Sequence, residues 1–580
     1  MKLKYIIPVL CLGTFMAGCT VTDLDPKEGT TDASYWRSVD DLMYYANGLY
    51  MIDPPTTFGD HNSDNMLHLN YNKTLFDEVV IPTSSEEQGS GWEWRTIREC
   101  NYFMKRYHTV VGGEEEINKY VAEVRFFRAQ DYFRRIKGFG DVPWYDTDLQ
   151  TNDKELLYKA RDPRGFVLGK IIEDLEFAIE WLPSLEKASQ DRLHTDVARA
   201  LLARVCLHEG TFRKYNPLKD EWDADALIRK AADNALAIMN TGRYQIVRGT
   251  DEGCGQLAYE GYPLHYSNQF IQDDLWGNKE AILAIRYVDN VSPMGNFHGY
   301  LSMMPQRGLS KDLIESFLCK DGLPIGVSEL YQGDNTLEEE IANRDPRLYQ
   351  VIDNPHKPYY VQNGEPVQNQ GFPVNAWDAV TGYRFVKYMP ARPEYQEIMQ
   401  EMFDFFGFRY GEVLMIYAEA KAELGECTQE VLDKTINVLR DRIDMGHLTI
   451  NPVMDPHPID YGYEVSPLLY EIRRERRIEL LGDVSRFDDI MRWNAVKLFQ
   501  NPKTMLGLRI TPDMMALDPM LMTKETYELD KKLYLRIYPN KAMDDPSRTW
   551  EPNDKRYLKP IPIEELTLNK NLEQNPGWKR

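Results

Sequence analysis

The residues best placed for chemistry lie between 471 and 493, which read EIRRERRIELLGDVSRFDDIMRW. Adjacent carboxylates such as Asp488 and Asp489 can point to general acid/base catalysis. Here they stand among Arg473, Arg474, Arg476, Arg477, Arg486 and Arg492, with Glu475, Glu479 and Asp483 close by. Guanidinium forks suit bidentate pairing with carboxylates. The stretch therefore reads as an ion-paired structural helix, interrupted or bent at Gly482. An anion site built from the arginines is the alternative, and the near balance of acids argues against it. The ten histidines are dispersed, and none pairs with another at the close helical spacing of metal ligands. HExxH, GxSxG, Walker and GxGxxG motifs are all missing. No catalytic residue, metal site or cofactor is assigned, and the chain reads as a binder and not as an enzyme.

Binding groups are sought in three long stretches rich in Gly, Pro, Asn and aromatics, residues 52–93, 243–310 and 321–406. Loops longer than about 15 residues in a compact protein are mostly functional or disordered. Their aromatic content argues against disorder, and binding residues concentrate on loops held by a rigid scaffold. The candidate ligand contacts are Tyr71 and Trp92 in the first stretch, and Asn296, Phe297 and Tyr300 between residues 287 and 305. Trp92 follows Gly89-Ser90-Gly91 and has little local reason to be core. Trp94 opens the amphipathic segment through Ile97 and Phe103 and reads as helix packing. Trp276 precedes the strand-like AILAIRY and is ambiguous. Ordinary loop packing is the competing account for each aromatic.

The elements that must position these loops are helices. Val413, Ile416, Tyr417, Ala420 and Leu424 follow the i, i+3, i+4, i+7 spacing of an amphipathic helix. After a break at Gly425, a second stripe runs through Leu432, Thr435, Ile436, Leu439 and Ile443. Ala198, Leu201, Leu202, Val205 and Cys206 make another stripe, paired with Ile228, Ala231, Ala232, Ala235 and Met239. Leu168, Ile171, Ile172, Leu175, Ile179 and Leu182 lie just upstream and end at Pro183. Residues 117–137 form a further helix. Paired helices with small contact residues resemble tetratricopeptide-type hairpins, although no strict 34-residue period runs through the chain. The expected architecture is mainly α: tetratricopeptide-like hairpins forming a scaffold, with a large irregular loop-rich subdomain. Residues 31–580 are expected to form a single unit.

The N-terminus sets an address. Lys2 and Lys4 precede a run of 12 mostly apolar residues, Tyr5 to Met16, followed by Ala17, Gly18 and Cys19. That is a secretory signal layout, too short for a spanning helix of about 20 residues. Met16-Ala17-Gly18-Cys19 resembles a bacterial lipobox, with Met where Leu is usual. Residues 1–18 are thus expected to be a signal peptide, Cys19 to be acylated, and the polar residues 19–30 to be a tether. Simple secretion, with cleavage near residue 20, is the alternative. Two or more acyl chains anchor a protein stably where one is marginal. Cys100, Cys206, Cys254, Cys319 and Cys427 remain, without a CxxC spacing, so neither a zinc site nor a dense disulfide framework is indicated. The formal net charge of −23 repels phosphate backbones and makes nucleic acid an unsuitable partner.

Six segments, in order, resemble the SusD/RagB family of outer-membrane lipoproteins. They are LDPKEGTTDASYWRSVDDLMYYANGLY (24–50), AEVRFFRAQDYFRRIKGFGDVPWY (122–145), NRDPRLY (343–349), RYGEVLMIYAEAKAELGE (409–426), RRERRIELLGDVSRFDDIMRW (473–493) and LKPIPIEELTLNKNLEQNPGW (558–578). The Arg-rich RRIKGFGDVP departs from the family, which is more apolar there. The resemblance implies a lipid-anchored protein of the outer membrane facing the cell exterior. It implies a partner, a SusC-type TonB-dependent barrel transporter, and a ligand, an oligosaccharide, with oligopeptides as the alternative. It also implies that loops 52–93 and 287–305 lie near one another, and that the shared segments serve fold and docking while the variable loops choose the ligand.

Overall fold

The computed structural model describes residues 35–50, 59–189, 191–216, 218–249, 258–287, 306–357, 360–362, 365–367, 379–392, 402–552 and 554–578. The scaffold is helical: α1 (Val39–Asn47), α2 (Arg95–Arg106), α3 (Glu114–Phe139), α4 (Arg164–Trp181), α5 (Thr195–Tyr215), α6 (Ala224–Met239), α7 (Lys311–Ser316), α8 (Tyr410–Glu423), α9 (Gln429–Lys434), α10 (Ile436–Asp441), α11 (Pro467–Glu479) and α12 (Arg486–Arg492). Helix α3 packs on α4 and α5 on α6; α8 then packs on both α6 and α11. The stripes read from the sequence supply these contacts. Ala198, Leu201, Leu202, Val205 and Cys206 of α5 are buried, as are Ile228, Ala231, Ala232 and Ala235 of α6. Burying a Leu or Ile side chain is worth about 1.5–3 kcal/mol. The close approach of α5 and α6 depends on Gly210, where a Cβ would fall 2.7 Å from the Ile228 side chain. No helix among the described residues is long and apolar enough to cross a membrane.

Two expected helices are divided. The stripe from Leu432 to Ile443 is buried throughout, but its helix breaks at Thr435 (φ −127°, ψ −91°). The Thr435 hydroxyl donates to the Val431 carbonyl at 2.6 Å, a local bond of the kind that competes with regular helix. The Arg-rich stretch divides into α11 and α12 around Gly482, whose φ of +80° favours glycine. A Cβ there would also meet the Phe385 ring at 3.0 Å.

Strands are short. β1 (Met66–His68) pairs antiparallel with β3 (Arg307–Leu309), and β2 (Ala281–Ile285) with β4 (Phe405–Arg409). β5 (Leu506–Arg509), β7 (Lys532–Arg536) and β6 (Thr526–Leu529) form a small sheet with β7 in the middle. A second hydrophobic core, separate from that of the helices, lies under this irregular part and includes Tyr266, Phe270, Leu313, Phe317, Tyr388 and Phe405. Cys100, Cys206, Cys319 and Cys427 are free thiols, while Cys254 lies outside the described residues.

The arginines of α11 and α12 join a buried ion-pair network. Glu479 receives Arg347 at 3.0 Å, Arg409 at 2.8 Å and Arg442 at 2.7 Å. Arg476 and Arg492 both bind Asp489 at 2.9 Å. Arg492 also binds Glu419, which accepts the Trp493 indole N–H at 2.8 Å. Asp488 is paired with Lys137 of α3. Despite burial, the surrounding guanidinium groups hold Glu479 well below the usual carboxylate range.

Candidate functional site

The loop-bearing surface is built from the β1–β3 ladder. Met66 lies opposite Leu309 and His68 opposite Arg307. The Leu69 N–H donates to the Gln306 carbonyl at 2.7 Å, and the Ser310 N–H to the Asn65 carbonyl at 2.9 Å. Buried charge fixes the turn before β1, because Arg477 and Arg486 both bind Asp64. The ladder therefore clamps the first candidate loop to the residue where the second rejoins the described chain. Asn296, Phe297 and Tyr300 themselves lie outside the described residues.

Tyr71 stands three residues beyond β1. Its hydroxyl donates to Glu78 at 2.6 Å. Its ring meets Phe76 edge-on at 5.1 Å and Tyr538 at 6.1 Å. The Lys541 ammonium lies 4.1 Å from the ring centroid and also pairs with Glu78. Hydrogen bonds from Lys541 and then from Tyr71 lower the Glu78 carboxyl below its ordinary range. The side chain is half-buried, so the site offers a fixed aromatic ring flanked by an ammonium and a carboxylate. Such a group can stack on the C–H face of a sugar ring while its neighbours bond hydroxyls. Neither Glu78 nor Lys541 is visible as a site residue in the sequence, since Lys541 arrives from the far end of the chain.

His61 and His68 lie beside this surface with ring centroids 5.8 Å apart. Burial, and then the Arg307 charge, lower the His68 pKa. Its Nδ1 accepts the Asn70 N–H at 3.0 Å, a structural bond rather than a metal contact.

The expectation that Trp92 stands outside the core is corrected. It is 2% exposed and packs edge-on against Phe139 at 4.8 Å and Trp94 at 5.3 Å. Gly91 precedes it under Lys559 and Phe139, and its carbonyl accepts from Arg135. Trp92 does line a cavity of about 350 Å³ with Trp94, Tyr145 and Glu565. Its ring is nevertheless committed to other rings, so its position is that of a packing residue. Trp94 is half-buried beside it.

A cavity of about 650 Å³ opens elsewhere, lined by Tyr331, Tyr461, Tyr470 and Tyr534 among others. Its charges largely satisfy one another: Lys503 pairs with Glu315, Lys497 with Asp460 and Arg474 with Asp455.

Residues 237–578 match the SusD family. SusD-like protein P2 of Formosa agariphila is 23% identical over 596 aligned residues, covering 99% of this chain and 100% of its own length. A SusD-like carbohydrate binding protein from Bacteroides fragilis NCTC 9343 has a TM-score of 0.65 at 22% identity, over 93% of this chain and 100% of that one. A laminarin binding SusD-like protein has a TM-score of 0.55 at 18% identity, over 94% and 100%. These structural likenesses establish the shared fold.

Proposed function

The chain belongs to the SusD family, and from that premise we propose that it captures oligosaccharides at the cell surface. It hands them to a SusC-type TonB-dependent barrel in the outer membrane. The observation that carries the reading is the β1–β3 clamp, which pairs a strand inside one aromatic loop with the return of the other. Two structural relatives described as carbohydrate- or laminarin-binding support a glycan as the ligand class. Tyr71 supplies a stacking face, with Phe297 and Tyr300 as further aromatic contacts and Asn296 as a hydroxyl partner. Cys19 carries the lipid, and residues 19–30 are the tether.

The role is binding rather than catalysis. Asp488 and Asp489, the pair best spaced for acid/base work, are engaged by Lys137, Arg476 and Arg492. A glycan array probed with the purified protein tests the reading. Saturable binding to a defined oligosaccharide, with no shortening of it, is the expected result. Binding to an oligopeptide library with no glycan bound would replace the glycan with a peptide. Release of shorter products from a polysaccharide would replace binding with hydrolysis.

A further inference from the structure

Trp276 is 52% exposed, and its indole makes no hydrogen bond or ring contact with any described residue. Exposure alone would mean little, since single apolar residues are common on surfaces. The turn that carries the indole singles it out. The Asn278 N–H donates to the Leu275 carbonyl at 3.0 Å, and Gly277 sits at φ +90°, the left-handed position a tight turn reserves for glycine. Asp274 accepts the Trp276 N–H at 2.7 Å. Asp404 accepts the Leu275 N–H at 3.0 Å. The Asn278 side chain donates to Gln269 at 3.0 Å and Gln272 at 3.1 Å. A turn locked at so many points holds out a side chain that keeps about half of its surface open. Pre-organised presentation of this kind lowers the ordering cost of binding.

Trp276 lines a cavity of about 440 Å³, within the range of about 300–1,000 Å³ common for small-molecule sites. Ser189, Asp191, Arg243 and Lys279 line it too. Arg243 pairs with Glu186 and Asp196, and Asp191 with Arg286. The Ser189 hydroxyl and the Lys279 ammonium are on exposed residues and pair with no described residue. Free donors beside balanced charges and an open indole suit an uncharged polyol with one apolar face. The contrast with the Trp92 cavity is direct, because there the aromatic rings contact one another. Asp404 also accepts the Tyr287 N–H at 3.1 Å, so one carboxylate fixes both this turn and the start of the loop carrying Asn296, Phe297 and Tyr300.

We propose that Trp276 and its cavity form a second carbohydrate subsite, which takes a neutral pyranose ring by stacking on the indole. The proposal rests on the glycan reading of the loop surface. The test labels the full chain in detergent with 5-fluorotryptophan and follows its 11 tryptophans by fluorine NMR, with the Trp276 signal identified by its loss in Trp276→Phe. The probes are the methyl glycosides of glucose, galactose, mannose and xylose, then cello-, laminari-, malto- and xylohexaose. The Trp276 signal should move saturably with at least one methyl glycoside. Trp276→Ala should keep the wild-type melting temperature and weaken the best hexaose about tenfold, as loss of a central aromatic contact does. Equal hexaose binding by wild type and Trp276→Ala, with an unmoved signal, overturns the subsite and leaves the glycan reading standing. A shift with N-acetyltryptophanamide and with no sugar overturns it in favour of a protein contact. No binding of any hexaose by wild type overturns both.

Discussion

Tyr71 keeps its ring in place through Glu78, Lys541, Phe76 and Tyr538, and still remains half-exposed. Tyr71→Ala should therefore weaken glycan binding by ~1–3 kcal/mol, the scale of a central aromatic contact. Tyr71→Phe should keep most of that affinity. Calorimetry against the oligosaccharide found by the array checks both, and a fully retained affinity in Tyr71→Ala would move the site away from this ring. Trp92 is the opposite case. Trp92→Ala should cost ~3–5 kcal/mol of stability, as for large aromatics removed from a core. Denaturant unfolding measures that loss. The two side chains are hard to tell apart in the sequence. Gly89-Ser90-Gly91 looks like an open loop, and the ring that packs on Trp92 is distant: Phe139 at the end of α3. Tyr71 owes its setting to the nearby Phe76 and Glu78 and to Tyr538 and Lys541 from the far end of the chain. Local context names the aromatic residues, and long-range packing decides which of them is buried and which stays partly exposed.

Helix stripes fared better than loops because their signal is periodic and local. The buried face of α6 follows the spacing of its apolar residues, whereas α5 and α8 are buried on nearly every side, and Tyr417 and Leu424 of the α8 stripe are only partly buried. What periodicity could not show was the break at Thr435, which comes from one hydroxyl bonding one carbonyl. The Arg-rich stretch was legible as ion-paired, but its partners were not. Glu479 is bound by Arg347, Arg409 and Arg442, all outside α11 and α12. Glu479→Ala leaves three buried guanidinium groups short of a partner and should cost ~3–5 kcal/mol, with the glycan preference unchanged. A variant that melted like wild type would show the network to be dispensable. The same network sets the acid limit. Neighbouring arginines lower Glu475, Glu479, Asp483 and Asp489 below their ordinary values, Asp489 to about 2. The unfolded chain then binds more protons below roughly pH 4, so stability present above that pH is lost as pH falls through the folded values. Asp60 and Asp404 act in the other direction. Burial raises both to about 6, so their contribution declines as pH rises from roughly 4 to 6. Melting temperature against pH should fall steeply on the acid side, and Glu479→Gln should make that fall shallower. An unchanged slope would remove Glu479 from the acid transition.

The segments that carry the family likeness act as stitches across the whole molecule. In the C-terminal one, the Lys559 N–H donates to the Gly138 carbonyl at 2.7 Å, Asn575 donates to the Phe139 carbonyl at 3.1 Å, and Ile563 and Glu564 bond the carbonyls of Pro82 and Thr83. Arg473 of α11 reaches Glu423 of α8 at 3.0 Å. Residues with such duties name a fold plainly and leave the ligand open, because on the proposed reading the ligand meets the loops between them. The same division bears on location. Nothing in these stitches ties the protein to a membrane, and an acidic chain with net charge −23 gains nothing from anionic lipid surfaces. Attachment on the proposed reading then falls to two devices outside the folded unit, the acyl chains on Cys19 and the barrel partner. They separate experimentally. In membranes lacking the barrel, Cys19→Ala should move the protein to the soluble fraction after a salt wash, while its melting temperature and array profile stay those of wild type. Pull-down of the wild-type chain from native membranes in mild detergent should bring a TonB-dependent barrel with it, and the Cys19→Ala chain added to those membranes should still bind that barrel. Retention of Cys19→Ala in washed membranes lacking the barrel would refute the lipid anchor, and recovery of the wild-type chain alone would refute the transporter partnership.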